Sequence, residues 1–78
     1  MHRFRIDAIL DPQSLLRVTG HFAQRSIVPS EMTMQLLPDH MRIEVIVRDL
    51  DPRQAATIAA KLGEVFAVTG AEMEELAA

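Results

Sequence analysis

The sequence predicts an α+β fold: a ferredoxin-like βαββαβ sandwich, with a four-stranded antiparallel sheet and two helices on one of its faces. Three observations predict it. The tetrapeptide Leu10-Asp11-Pro12-Gln13 returns forty positions later as Leu50-Asp51-Pro52-Arg53. Each copy follows an apolar run and opens a helical pattern, so the chain is built from two similar strand–helix–strand units. The runs beside those helices alternate apolar and polar residues, as half-buried strands do. Two right-handed units of this kind interleave into one antiparallel sheet.

Phe4, Ile6 and Ala8 alternate with Arg3, Arg5 and Asp7, giving the first strand. Asp11 is a favoured N-cap, because its carboxylate accepts a bond from a first-turn N–H. Pro12 fits the first helical position, where its missing N–H costs nothing. This helix should run to about Arg25. Leu15, Val18, Thr19 and Phe22 share one face, which Leu16 and Ala23 widen. Gly20 costs a helix about 1 kcal/mol relative to Ala, and close packing on the sheet is the expected reason for it.

Ile27 to Leu37 is the second predicted strand, with Val28, Met32, Met34 and Leu36 on one side and Glu31, Thr33 and Gln35 on the other. Pro29 within it marks an edge strand or a bulge, since proline cannot donate to a ladder. Pro38-Asp39-His40 supplies a turn. Met41, Ile43, Val45 and Val47 then alternate with Arg42 and Glu44 in a third strand, antiparallel to the second. Asp51 to Gly63 is the second helix. Gln54 stands at the capping-box spacing from Asp51, Ala55, Ile58, Ala59 and Leu62 form the buried stripe, and Gly63 suits the C-cap. The last strand spans Val65 to about Met73. Its facing is open, because Val65, Phe66, Ala67 and Val68 are all apolar. One domain over residues 1–74 and a frayed tail at 75–78 complete the organisation.

Composition narrows function. So short a chain buries a modest core, and a partner subunit would help it. Hydrophobic residues make up 49% but aromatics only 4%, so the core is aliphatic and Met-filled. With 8 basic and 11 acidic residues the net charge is −3, which disfavours nucleic acid, whose affinity rests on phosphate neutralisation. No polybasic patch addresses a membrane surface, and no apolar run approaches the roughly 20 residues of a span. There is no cysteine, so disulfides and thiolate metal sites are excluded. Asp7 breaks what would be the apolar region of a signal peptide, leaving a cytoplasmic protein as the expectation.

Chemistry-bearing residues are sparse. His2, His21 and His40 lack metal-ligand spacing and belong at the surface or in turns. Ser14, Ser26 and Ser30 show no nucleophile elbow, and Ser14 sits in a first helical turn. No cofactor, metal or catalytic residue is expected. Arg3, Arg5, Asp7, Arg42, Glu44 and Arg48 give the open sheet face mixed charge, suited to a solvated surface with cross-strand ion pairs. The second strand is different. An edge bearing Met32, Met34 and Leu36 templates pairing unless it is capped, and two such edges meeting about a twofold axis would cap each other. The expected homodimer interface is Val28, Ser30, Met32, Met34 and Leu36.

The stretch from Asp11 through Leu15-Leu16-Arg17-Val18, continued by Phe22-Ala23-Gln24-Arg25, resembles the ACT-domain family. More narrowly it is similar to the single-ACT regulatory small subunit of acetohydroxyacid (acetolactate) synthase. Lys61-Leu62, Val65 and Val68 extend the likeness to the second helix and last strand. The resemblance implies a non-catalytic partner that binds and activates a thiamine-diphosphate-dependent catalytic subunit in branched-chain amino-acid synthesis. It also implies a possible amino-acid effector at the dimer interface, between the first strand–helix loop and the start of strand two. The matching positions are Asp11, Gln13 and Ser14 in the loop, with Val28 and Pro29 beyond the helix.

Here the chain departs from the pattern. Gln13 stands at the loop glycine, Ser26 at the glycine after Arg25, and Val28 at an asparagine. Glycine lets backbone N–H groups approach a carboxylate, and Gln13 does not. Weak or absent valine sensitivity follows. The alternative is a free-standing ACT module sensing an amino acid at its own dimer interface.

Overall fold

Two central strands carry the core, and their alternation sets everything packed on them. The computed structural model describes residues 1–77. In chain order the elements are β1 (His2–Ala8), α1 (Pro12–Ala23), β2 (Glu31–Leu36), β3 (Met41–Val47), α2 (Pro52–Gly63) and β4 (Val68–Glu75). The sheet order is β2-β3-β1-β4 with every pairing antiparallel, so β2 and β4 are the edges. This is the βαββαβ sandwich that the repeat predicts.

Phe4 pairs with Val45 and Ile6 with Ile43, and all four are fully buried. The helices add Val18 and Phe22 from α1 and Ala55, Ile58 and Leu62 from α2 to the same cluster. Rings of Phe4 and Phe22 meet edge-on at 5.4 Å, a geometry worth about 0.5–1.5 kcal/mol beyond area burial. On the other face Arg3 reaches Glu74 at 2.8 Å, Arg42 reaches Asp7 at 3.0 Å and Arg5 reaches Glu44 at 3.7 Å. These half-exposed pairs lie across neighbouring strands and are worth roughly 0–1 kcal/mol each. They form a self-compensated, solvated surface.

Several local expectations are corrected. The second strand begins at Glu31, not Ile27, so Val28, Pro29 and Ser30 belong to the connection and Pro29 is not what makes β2 an edge. Helix α1 ends at Ala23, followed by a turn over 24–26. A Cβ added to Gly20 would meet nothing within 4 Å, so this glycine does not serve close packing. Gly63 is the last residue of α2 rather than a left-handed cap; the C-caps are Gln24 and Glu64, both right-handed. His2 is 2% exposed, in step with Phe4 and Ile6, and neither ring nitrogen has a hydrogen-bond partner. The last strand starts at Val68 and runs to Glu75. The Leu76 N–H donates to the Met1 carbonyl at 2.8 Å, so positions 75 and 76 are tied to β1 rather than frayed. Ala78 lies outside the described residues.

Ser26, where the resemblance calls for glycine, has φ 57°. That left-handed conformation is what a glycine would supply without a Cβ penalty.

Candidate functional site

The loop after β1 is folded around one aspartate and one serine. Asp11 Oδ1 accepts the Gln13 N–H at 2.8 Å, and the Asp11 carbonyl accepts the Ser14 N–H at 2.9 Å. Pro12 has no N–H to offer. The first turn of α1 therefore presents no free donor at these three positions, and the anion-attracting start of a helix is closed from within. Ser14 is fully buried and its hydroxyl donates to the Ile9 carbonyl at 2.9 Å. The Ile9 N–H donates to Ala67 O at 2.9 Å, which pins the loop to the approach of β4.

Asp11, Gln13 and Ser14 line one cleft of about 160 Å³, together with Ile9, Arg17, Phe66 and Ala67. The structure thus brings the three loop residues together. Val28 and Pro29 are not among its lining. Arg17 and Phe66 are the residues sequence reasoning missed as cleft lining. Arg17 appeared only as a family match, and Phe66 was hidden in an apolar run whose facing alternation could not settle. Phe66 is 91% exposed.

The second part of the candidate site is the β2 edge. Met32, Met34 and Leu36 pair with Val45, Ile43 and Met41, so they project to the helix side of the sheet. They nevertheless remain exposed, as does Val28, because the helices do not cover this row. Ser30 is turned to its own sheet: its N–H and hydroxyl donate to Ile46 O at 2.8 and 3.1 Å.

The opening of α2 repeats the Asp-Pro start with different bonding. Asp51 Oδ1 accepts the Gln54 N–H at 2.8 Å, one residue further along than in α1. The capping interaction forms from the aspartate, as the Asp51–Gln54 spacing predicts. Near the end of α1, Arg25 Nη1 donates to the His21 carbonyl at 3.0 Å and to His21 Nδ1 at 2.9 Å. Partial burial, then the Arg25 charge, lowers the His21 pKa, consistent with a neutral ring accepting at Nδ1. In the β2–β3 turn, the hydrogen bond and charge of His40 lower the Asp39 pKa.

Among the described residues no group of three His, Cys, Asp or Glu is placed to hold a metal ion, and no helix is long and apolar enough to cross a membrane. The arrangement offers binding surfaces, and the Ser14 and Ser30 hydroxyls both donate to backbone carbonyls.

The family described as ACT-like domain matches residues 1–78. Similar solved structures include the ACT domain from GTP pyrophosphokinase of Chlorobium tepidum, at 15% identity and a TM-score of 0.76, covering 94% of this chain and 95% of that one. The C-terminal domain of the MgtC protein from Mycobacterium tuberculosis gives 16% identity and 0.70, covering 94% and 83%. The regulatory subunit of aspartate kinase from Thermus thermophilus, in ligand-free form, gives 16% and 0.69; the match covers 95% of this chain and 50% of that one. No curated protein matches the chain.

Proposed function

This chain belongs to the ACT-like domain family, and from that premise we propose that it is a non-catalytic regulatory subunit, dimeric through β2, whose partner is the catalytic subunit of a thiamine-diphosphate-dependent acetohydroxyacid synthase. The observation that carries the dimer is the uncovered row Met32, Met34 and Leu36 on an edge strand. A second copy would bury that row and cap the edge. What supports the enzyme partner is the Leu15-x-Arg17-Val18 and Gln24-Arg25 likeness. Val18 is part of the core, whereas Arg17 and Gln24 are exposed and free to meet another protein. The aspartate kinase neighbour is itself described as a regulatory subunit, in keeping with an accessory role.

The closed first turn of α1 supports weak or absent valine sensitivity. A bound amino acid must satisfy both charged ends, since leaving either unpaired is costly. We expect no saturable valine binding at this loop below about millimolar. Micromolar valine affinity in calorimetry would instead favour the free-standing sensor.

Co-purification with candidate catalytic subunits, with synthase turnover measured with and without this chain, tests the partner. A complex with raised turnover is expected; neither complex nor stimulation from any candidate would remove the synthase reading. Sedimentation tests the dimer separately. The parent chain should sediment as a dimer at micromolar concentration and Met34→Lys as a monomer, whereas a folded parent monomer would count against the β2 seam.

A further inference from the structure

A cleft with an apolar floor lies away from the loop after β1, where the end of α1 faces the start of α2. It has a volume of about 460 Å³ and is lined by Arg25, Ile27, Asp51, Arg53, Thr57 and Ile58, with Gln54 beside them. This falls within the roughly 300–1,000 Å³ range of small-molecule sites. Ile58 is buried and Ile27 half-buried, so the cleft opens onto the core.

Charge in this cleft is unbalanced. Among the described residues Arg25 and Arg53, like Arg17 and Arg48, form no ion pair, and Arg25 Nη1 donates to His21. Asp51 is the one carboxylate in the lining, and its Oδ1 is held by the Gln54 N–H. Two guanidinium groups against one carboxylate leave a net positive cleft in a chain of net charge −3. Like charges sharing a small site repel, and a bound anion would relieve that repulsion. Arginine's planar fork suits a carboxylate.

We propose that this cleft is a binding site for a small monocarboxylate with a short apolar tail, its carboxylate held by Arg25 and Arg53 and its tail on Ile27 and Ile58. A zwitterionic amino acid brings no net charge to neutralise the cleft and would be discriminated against. A bare anion leaves the apolar floor empty. The repeated Leu-Asp-Pro has Gln13 after the first copy and Arg53 after the second, so at this position of the repeat only the second copy carries a cation. The proposal goes beyond the regulatory reading and stands whether or not the synthase partner is right.

The test is a ¹H–¹⁵N titration of the full chain with isovalerate, its neutral amide, leucine and inorganic phosphate. Saturable isovalerate binding at or below about millimolar is expected, with shifts centred on Arg25–Ile27 and Arg53–Ile58. Amide, leucine and phosphate should each bind about tenfold more weakly or not at all. Arg53→Gln and Arg25→Gln are surface changes that should keep a dispersed, folded spectrum and weaken isovalerate about tenfold or more each, as loss of a charged hydrogen bond does. Shifts centred on the β1–α1 loop, equal binding of the amide or phosphate, or folded variants with unchanged affinity would overturn the proposal.

Discussion

Leu10 and Leu50 occupy the same place in the repeated Leu-Asp-Pro, yet Leu10 is 50% exposed and Leu50 is 8% exposed. Four residues further on the contrast reverses: Ser14 is fully buried while its counterpart Gln54 is exposed. The backbone before each copy differs. Asp49 adopts φ 54°, a left-handed turn, whereas Ile9 has no such turn. At the first junction Leu10 stays outside and the chain is secured by Ser14 on Ile9 instead. A repeated sequence thus encodes a repeated local event, an aspartate cap followed by a proline start. What each copy buries differs with the loop that delivers it.

The largest effect should come from the leucines. Leu50→Ala removes a core side chain and is expected to cost about 2–5 kcal/mol. Leu10→Ala should stay within about 0.5 kcal/mol, as surface changes do. Urea denaturation of the two variants measures both, and similar losses would break the contrast in burial. The next pair is Ser14 and Gln54. Ser14→Ala removes one hydrogen bond to the Ile9 carbonyl, which keeps the Asp11 N–H at 2.9 Å, and should cost about 0.5–1.5 kcal/mol. Gln54→Ala keeps the backbone N–H that Asp51 caps, so its midpoint should barely move.

The two caps should behave alike, which is the sharper test of what the repeat does encode. Asp11→Ala and Asp51→Ala are each expected to cost about 0.5–2 kcal/mol, and Asn at either position should retain most of that. A large asymmetry between them would mean that the different bond targets, Gln13 and Gln54, matter more than the shared cap.

Element order, the edge position of strand two and both helix starts were legible because period-two runs and Asp-Pro starts are local signals. The candidate site was legible only in part. Asp11, Gln13 and Ser14 do share a cleft, but Arg17, Phe66, Arg25 and Arg53 gain meaning only when distant segments meet. Phe66 lay in four successive apolar residues, where alternation carries no phase. Lack of metal-ligand spacing points His2 to the surface, but its place in step with Phe4 and Ile6 puts it inside. The helical context of Gly20 suggests close packing on the sheet, but nothing approaches within 4 Å of where its Cβ would be.

The smallest effect tests the turn itself. If the left-handed turn at Asp49 is what buries Leu50, glycine there should fit at least as well as aspartate. Aspartate tolerates this region better than most residues, and glycine adds unfolded-state entropy that offsets part of the relief. The expected gain for Asp49→Gly is therefore small, a few tenths to about 1 kcal/mol. Ile9→Gly, where no left-handed turn exists, should lose stability through that same entropy and the loss of a half-exposed side chain. Opposite signs in the two denaturation midpoints are the expected result. Loss of stability in both would show that Asp49 contributes something other than its turn.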